Sequence, residues 1–248
     1  MNDKPLQTDE QLAWLKLRFM LEHYKTMAED AAKKNISHQL YFENLVQGET
    51  ALRWDNSIKR RVGLARFPVI KTMDQFQWNW PEKIKRPQLQ QLFRLNFIDQ
   101  KANVMLLGGV GLGKTHIATA LGYQACLKGY TVLFTTAVDV INTLSAAHAA
   151  DQLKFALKKY LKPNLLILDE LGYLPIDKHG ADLLFQIISY RYEKGSIIIT
   201  SNRAYKEWPH IFNNDATLTS AILDRLLHHA VTMIIEGKSY RMKKQVEI

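Results

Sequence analysis

Residues 106–116 read LLGGVGLGKTH and match the spacing G-x-x-x-x-G-K-[ST]. The fixed positions of the pattern are Gly108, Gly113, Lys114 and Thr115. A short apolar run, Val104–Leu107, ends where the match begins, and a helical pattern starts where it stops. A glycine-rich turn between a strand and a helix is the setting in which this motif binds phosphate. The stretch therefore predicts a nucleotide-binding α/β domain.

The residue types in this loop suit a triphosphate ligand. Gly109, Gly111 and Gly113 let backbone N–H groups turn inward without an obstructing Cβ, and the following helix points its positive end at the same anion. Lys114 can reach the β- and γ-phosphates, and the Thr115 hydroxyl can ligate Mg²⁺. We therefore predict an ATP and Mg²⁺ site in which the following residues bind the nucleotide: Gly108, Gly109, Val110, Gly111, Leu112, Gly113, Lys114, Thr115 and His116.

A second motif, LLILDE, occupies residues 165–170. Its apolar part predicts a buried strand, and a carboxylate at the tip of a strand beside the loop can hold Mg²⁺, which assigns that role to Asp169. The next carboxylate, Glu170, can polarise the attacking water as general base. An acidic turn that is merely solvated is the alternative. The pair favours water as the phosphoryl acceptor, so we expect an ATPase that hydrolyses ATP to ADP and phosphate.

The rest of this region alternates between strands and helices. Short apolar runs predict strands at Val104–Leu107, Thr131–Phe134, Leu165–Leu168, Ile197–Thr200 and Val231–Ile235. Helical patterns lie between them around residues 115–128, 138–161, 180–194 and 216–228. This layout predicts a P-loop NTPase core, with a five-stranded, mostly parallel sheet and flanking helices. Strand order is left open, because spacing alone does not encode it.

The region before the sheet is helical in pattern. Apolar residues recur at helical spacing from Leu17 to Ala28 and again from Tyr41 to Val46, with Ser37 a suitable N-cap for the second helix. Pro68 ends the pattern. We predict three parts: a small all-α N-terminal DNA-binding domain at 1–67, a linker and lead-in helix at 68–102, and an ATPase domain at 103–248. Within the linker, Phe76, Trp78 and Trp80 are too apolar for a free tether.

The positive charge of the chain is concentrated in one fifth of its length. Of a net +9, residues 51–102 carry 11 basic and 4 acidic residues, whereas residues 1–50 carry 6 and 8. A local basic block indicates a polyanionic partner, and phosphate contacts give affinity without reading sequence. We predict largely sequence-nonspecific binding to DNA, with a solvated basic helix face as the alternative. The candidate contacts are Arg53, Lys59, Arg60, Arg61 and Arg66.

Composition narrows the class of protein further. Hydrophobic residues make up 47% and charged residues 23% of the 248 residues, which is typical of a globular protein. No apolar run approaches the roughly 20 residues that cross a bilayer, and the amino terminus lacks the apolar segment of a secretory signal. The single cysteine, Cys126, excludes an intramolecular disulfide and lies in an apolar helix, where we expect a buried thiol. We expect a cytoplasmic protein with no membrane partner.

Several segments together resemble a known family. LLGGVGLGKTHIATAL, LLILDELGYLP, IIITSNR and AILDRLLHHA are similar to segments of the AAA+ ATPases of the IstB and DnaC clade, and more closely to IstB. The similarity continues upstream through YFENLVQGETALRWDNSIKRRVGLARFPVIKTMDQFQW, so it covers most of the chain from about residue 36. DELGYLP and the arginine-rich segment that ends in ARFP are narrower signals than the nucleotide motifs.

The resemblance implies roles for three more residues. Asn202 follows the fourth strand, where the family has its first sensor, and would orient the attacking water; an amide that caps the strand end is the alternative. Arg225 lies where the family has an arginine finger, which would reach the nucleotide of a neighbouring subunit. The alternative for Arg225 is a surface arginine paired with Asp224 or with a helical neighbour. Arg241 is a candidate second sensor that contacts the nucleotide, or else part of a basic tail.

The resemblance also implies an activity and partners. Only residues 236–248 follow the last predicted strand, so we expect no C-terminal helical lid domain. ATP would drive formation of a homo-oligomer on target duplex DNA, the assembly would deform the DNA and recruit or stimulate its cognate transposase, and hydrolysis would release it. The main alternative is a DnaC-type replicative helicase loader. A more distant one is a P-loop kinase or housekeeping NTPase without a DNA role.

Overall fold

Five parallel strands form one sheet in the order β2-β3-β4-β1-β5. This computed structural model describes residues 7–78, 80 and 83–240. The strands are β1 Asn103–Gly108, β2 Val132–Thr136, β3 Leu165–Leu171, β4 Ser196–Ser201 and β5 Ala230–Ile235. All five predicted strands are therefore present, each within a few residues of its expected bounds. The residues of β1, β3 and β4 are almost all buried, because helices cover both faces of the sheet there, whereas the edge strand β5 is only partly buried.

Helices fill the connections and the region before the sheet. Before the first strand they are α1 Thr8–Trp14, α2 Arg18–Lys33, α3 His38–Ala65, α4 Arg86–Leu92 and α5 Asn96–Asp99. After it they are α6 Lys114–Leu127, α7 Ala137–Ala149, α8 Leu153–Leu161, α9 Lys178–Arg191, α10 Trp208–Ile211 and α11 Ala216–Leu227. Contacts divide the chain into two compact units, Met1–Arg60 and Arg61–Ile248, and the last residues of α3 belong to the second.

One predicted helix is in fact two. The pattern at 138–161 reads as a single helix, but α7 ends at Ala149 and α8 begins at Leu153. Asp151 lies between them with a left-handed φ of 55°, and the Gln152 N–H donates to the Ala147 carbonyl oxygen at 2.7 Å. This local closure of the last turn ends the helix although the apolar spacing continues, which the periodicity could not reveal.

In the first unit, a buried carboxylate organises the start of α2. Glu49, 5% exposed, accepts hydrogen bonds from the backbone N–H of Phe19 at 2.8 Å and from Arg53 Nε at 2.9 Å. Arg53 Nη2 also donates to the carbonyl oxygen of Lys16. The carboxylate thus satisfies an otherwise unpaired donor at a helix N-terminus and suits its positive end.

In the second unit, apolar clusters cover both faces of the sheet. The segment before β1 contributes to one of them, because Phe76 is 6% exposed and Trp78 packs against the cluster. Cys126 is fully buried in α6, and burial raises the pKa of its thiol to about 11. The expected buried thiol and the packed linker aromatics are both confirmed. Among the residues described, none of the helices combines the length and apolarity needed to span a membrane.

A buried arginine connects the amino-terminal ends of β3 and β4 to the end of α8. Arg191 is 2% exposed, and its guanidinium donates to the carbonyl oxygens of Tyr160, Pro163, Asn164 and Ser196 at 2.8–3.1 Å. Burial lowers its pKa to about 10, so the group is still charged at neutral pH. One side chain therefore satisfies carbonyl oxygens from the α8–β3 connection and from β4.

Replacing this arginine by an apolar residue should destabilise the second unit strongly. Arg191→Met removes the guanidinium donor from four carbonyl oxygens, and hydrogen bonds to charged groups contribute about 1.5–3 kcal/mol each. We expect the free energy of unfolding to fall by about 3–5 kcal/mol, measured by urea denaturation. Arg94→Met, at an exposed position, is the control and should change it by less than about 0.5 kcal/mol. Equal small effects for both would contradict this structural role.

Candidate nucleotide-binding site

The predicted phosphate loop lies between β1 and α6. Gly111 and Gly113 have φ values of 76° and 86°, in the left-handed region that a side chain would disfavour. A Cβ on Gly111 would also lie 2.1 Å from the Ser239 Oγ. Lys114 Nζ donates to the carbonyl oxygens of Gly108 and Gly109, both at 2.7 Å, so the ammonium lies inside the loop where phosphate oxygens would compete for it.

Asp169 and the loop threonine are in direct contact. Thr115 Oγ1 lies 3.1 and 3.0 Å from the two carboxylate oxygens of Asp169, which is 4% exposed. A hydroxyl and a carboxylate oxygen held together beside a phosphate loop are donors that Mg²⁺ accepts. Thr115 and Asp169 therefore fit the predicted metal ion and could hold it directly or through water.

Glu170 follows Asp169 at an irregularity of the sheet. The register between β3 and β4 shifts between Leu168 and Leu171, and Glu170 adopts a left-handed φ of 61°. Successive strand residues normally point to opposite faces, and a bulge breaks that alternation and re-aims a side chain. Glu170 is exposed whereas its neighbours on both sides are buried. The bulge thus places a solvent-accessible carboxylate next to the buried Asp169.

Thr200 contacts both acidic residues and was not predicted from the sequence as a site residue. Its hydroxyl lies 2.5 Å from Asp169 Oδ1, to which it donates, and accepts the backbone N–H of Glu170 at 2.9 Å. Thr200 is 1% exposed near the end of β4. A polar residue within the run IIITS was the available signal, but its partners belong to another strand.

Asn202 lies just beyond β4, which is hydrogen-bonded between β1 and β3 in the sheet. It therefore follows the strand that separates the phosphate loop from the acidic pair. Its Oδ1 is buried and has no hydrogen-bond partner among the residues described. A buried acceptor without a donor costs free energy, so this oxygen fits a ligand or water that donates to it.

A cavity of about 560 Å³ opens beside the loop and has room for a base. Phe76 lines it, whereas Trp78 packs in the adjoining cluster. Trp80 and Tyr240 also line it, with ring centroids 6.3 Å apart, and the Tyr240 N–H donates to the Gly111 carbonyl oxygen at 3.1 Å. Neither was predicted from the sequence to line the site, because Trp80 precedes β1 and Tyr240 follows β5.

His116 borders the same cavity on α6. Its Nε2 lies 2.9 Å from the Thr72 carbonyl oxygen, and its ring meets that of Phe76 edge to face with centroids 5.4 Å apart. Burial lowers the pKa of His116, which favours the neutral imidazole. His116 therefore holds the segment before β1 against the phosphate loop, so that the linker forms one wall of the cavity.

Arg225 is far from the phosphate loop of its own chain. The carbonyl oxygen of its neighbour Leu226 accepts a hydrogen bond from Asn103 Nδ2 at 3.0 Å. Asn103 begins β1 and Gly108 ends it, a separation of about 16 Å at the usual rise per residue. Arg225 thus lies near the amino-terminal end of β1, whereas the phosphate loop follows its carboxyl-terminal end. The guanidinium contacts the Ala221 carbonyl oxygen at 3.0 Å and the Phe185 ring at 4.8 Å, and no ion pair with Asp224 occurs in the described structure.

Arg241, the candidate second sensor, lies outside the described residues.

The predicted DNA contacts differ in their surroundings. Arg53 is committed to the buried Glu49 within the first unit, and Arg61 Nε donates to the Cys126 carbonyl oxygen at 2.9 Å within the second. Lys59, Arg60 and Arg66 are exposed. Hydrogen bonds within the protein already engage Arg53 and Arg61, so Lys59, Arg60 and Arg66 are the better candidates for contacts with phosphate.

A second basic surface was not predicted. Helix α8 and the residue after it carry the exposed Lys154, Lys158 and Lys162 at a spacing of four, which places them on one helix face. Phe155 lies among them and is 73% exposed. Cations interleaved with an exposed aromatic ring suit a nucleic acid. The sequence signal for this surface is the run LKFALKKYLK at 153–162, which contains no acidic residue. The net charge of the whole region 103–248 hides this run, because acidic residues elsewhere in the region offset its lysines.

Comparison with known proteins gives consistent results. The family model described as IstB-like ATP binding protein matches residues 10–248. The insertion sequence IS5376 protein of Geobacillus stearothermophilus is 38% identical over 93% of this chain and 92% of its own length. The insertion sequence IS21 protein of Pseudomonas aeruginosa is 39% identical over 94% and 88%. The crystal structure of the DnaC helicase loader matches with a TM-score of 0.54 and 22% identity, over 66% of this chain and 96% of that one, which shows a shared fold.

Proposed function

Because the chain belongs to the IstB-like ATP-binding protein family of insertion sequences, we propose that it hydrolyses ATP as an oligomer on duplex DNA and serves a transposase. ATP binding follows from the family. Hydrolysis, DNA remodelling and recruitment of the transposase are the proposed steps.

One observation carries the proposal of hydrolysis. Asp169 at the end of β3 contacts both Thr115, at the start of α6, and Thr200 of β4, and Glu170 is exposed beside it. The unpartnered Oδ1 of Asn202 lies just beyond the strand between the other two. A site that only bound nucleotide would have no use for an exposed carboxylate and an unpartnered buried acceptor in this place.

The residues then divide the reaction among them. Bound Mg²⁺, held by Thr115 and Asp169, would neutralise charge on the phosphate oxygens. Lys114 exchanges its two loop carbonyls for phosphate oxygens. Glu170 accepts the proton of the attacking water, while Asn202 Oδ1 accepts a hydrogen bond that orients it. Thr200 keeps Asp169 and the backbone of Glu170 in register, so it is a positioning residue.

The position of Arg225 supports an oligomer. It is separated from its own phosphate loop by about the length of β1, so its guanidinium is available for the nucleotide of a neighbouring subunit. A residue that stabilises transition-state charge from outside makes hydrolysis conditional on assembly. We infer that ATP and DNA promote a homo-oligomer in which each active site is completed by the next chain.

Exposed cations in both units support a DNA partner. Lys59 and Arg60 are exposed in the first unit, and Arg66 with the lysines of α8 is exposed in the second. Contacts of this type neutralise phosphates and do not read bases. The expected ligand is therefore duplex DNA bound with little sequence preference and strong dependence on salt.

The salt dependence of DNA binding should report how many of these contacts are made to phosphates. Replacing Lys59, Arg60 and Arg66 together by Gln should flatten the slope of log affinity against log salt by about 0.9 for each lost phosphate contact, measured by fluorescence anisotropy. The control removes the same charge at the exposed Lys33, Lys34 and Lys128 and should leave the slope almost unchanged. Equal flattening by both sets would show that only net charge matters. The α8 lysines, replaced in the same assay, test the second surface separately.

The ATPase rate with different nucleic acids tests the proposed function. We expect duplex DNA to stimulate steady-state hydrolysis by the intact protein in the presence of Mg²⁺, because assembly on DNA brings Arg225 to a neighbouring nucleotide. Stimulation by single strands alone would favour the helicase-loader alternative. A rate unaffected by either would contradict a role on DNA.

A further inference from the structure

Two histidines and a glutamate meet at the edge of the sheet opposite the phosphate loop. Glu193 lies in the turn between α9 and β4, and His228 and His229 join α11 to β5. One potential ligand atom from each residue lies within 4.8 Å of the other two. Neither the nucleotide site nor the candidate DNA contacts use any of them.

The sheet holds this cluster in place. The Asn103 N–H at the start of β1 donates to the His229 carbonyl oxygen at 2.7 Å, and Asn103 Nδ2 donates to that of Leu226 at 3.0 Å. Glu193 has a left-handed φ of 57° in a turn whose neighbour, Arg191, is anchored by buried carbonyl oxygens. The backbone on both sides of the cluster is therefore fixed by rigid elements, which suits a binding site.

Tyr192 orients one of the imidazoles. Its hydroxyl lies 2.9 Å from His228 Nδ1, and in the tautomer in which Nδ1–H donates to this hydroxyl oxygen, Nε2 presents its lone pair to a ligand. A second hydrogen-bonded group on the far nitrogen is the usual companion of a metal-binding histidine, since it fixes both the ring and its tautomer. The rings of His228 and His229 lie with centroids 4.1 Å apart, so both point into the same small region.

We propose that Glu193, His228 and His229 bind a divalent transition-metal ion of the zinc class. Two imidazoles and one carboxylate are a ligand set that Zn²⁺, Ni²⁺ or Cu²⁺ prefers, whereas Mg²⁺ and Ca²⁺ prefer oxygen alone. All three side chains are exposed, which leaves the remaining coordination position to water. The site is separate from the one that Thr115 and Asp169 form, because the two lie at opposite edges of the sheet.

A bound ion would connect the α9–β4 turn to the α11–β5 turn. It would therefore stabilise the second unit by mass action, in proportion to the metal concentration relative to the dissociation constant. Arg225 precedes His228 by three residues, so the ion would lie on the same end of α11 as the candidate finger. The proposal itself depends only on the three ligands and not on the role of that arginine.

Zinc binding to the intact, untagged protein tests this proposal. After treatment with a chelator, the protein is titrated with ZnCl₂ by isothermal calorimetry in a large excess of Mg²⁺, which fills oxygen-only sites. We expect one saturable zinc ion per chain and a higher midpoint of thermal unfolding with zinc. His229→Ala and Glu193→Gln should each weaken binding at least about tenfold while leaving the metal-free midpoint unchanged.

A second histidine pair provides the control. His148 and His179 lie with ring centroids 5.0 Å apart, and no carboxylate completes a three-ligand cluster around them within the described residues. His148→Ala should therefore bind zinc as the unmodified protein does. Absence of binding by the unmodified protein, or equal weakening by His148→Ala and His229→Ala, would overturn the proposal. Neither result would affect the proposed ATPase function, since the titration contains no nucleotide.

Discussion

Arg225→Ala should leave ATP binding by the single chain unchanged and lower hydrolysis on duplex DNA by about a thousandfold. An arginine supplied from outside the site contributes about 10³–10⁵ to the rate of phosphoryl transfer when it offsets transition-state charge. The lower end of that range is expected, because Lys114 remains in the site. Hydrolysis is measured as phosphate release at saturating ATP, and binding with a fluorescent ATP analogue. Arg94→Ala, at an exposed position, is the control and should be fully active.

A mixing experiment separates an action between subunits from a folding effect. Lys114→Ala chains should bind ATP weakly but still supply Arg225, whereas Arg225→Ala chains bind ATP but lack the finger. Mixed on duplex DNA, the two inactive proteins should recover part of the activity, because some interfaces combine an intact loop with an intact arginine. No recovery, or loss of ATP binding by Arg225→Ala, would place this residue in a structural role with Ala221 and Phe185.

Glu170→Gln should bind ATP with normal affinity and hydrolyse it about a hundredfold to a thousandfold more slowly. The amide keeps the size of the side chain but cannot accept the proton of the attacking water, and general-base catalysis contributes about 10²–10⁴. A single-turnover assay at saturating protein separates this loss from any change in binding. Asp151→Asn is the control, since Asp151 is also exposed with a left-handed φ, here 55°. A normal rate for Glu170→Gln would assign the base to another group.

The phosphate loop and the acidic pair could be predicted because the residues that form each of them are consecutive in the sequence. LLGGVGLGKTH carries its own strand, turn and helix signals, and LLILDE ends a strand in the two carboxylates of the candidate site. The five strands could be predicted equally well from the sequence, since each is a short apolar run. Local sequence was sufficient wherever one segment contains all the interacting groups.

Features that depend on distant segments could not be predicted. Thr200 contacts Asp169 across neighbouring strands. The strand order β2-β3-β4-β1-β5 brings these strands together, and it cannot be read from the spacing of the strands along the sequence. Trp80 and Tyr240 reach the nucleotide cavity from before β1 and after β5. Arg53 and Arg61 were predicted as DNA contacts within the basic block, but their guanidinium groups donate hydrogen bonds to Glu49 and to the Cys126 carbonyl oxygen.

The break between α7 and α8 has a different cause. Apolar spacing continues across Asp151, so periodicity predicts one helix, and only the left-handed backbone at that residue ends the first and starts the second. As a result, α8 is a separate element that carries the exposed lysines around Phe155. The left-handed backbone of this single residue thus places the exposed lysines on a helix separate from α7.

The proposed function rests on assembly around duplex DNA that requires ATP, and electron microscopy of Glu170→Gln with duplex DNA tests it most directly. The slow hydrolysis of this variant should hold the assembly long enough to image. We predict rings or filaments that enclose the duplex when ATP and Mg²⁺ are present and isolated particles when ATP is omitted. Assemblies that form equally well without ATP, or that form with ATP on single strands and not on duplex, would contradict it.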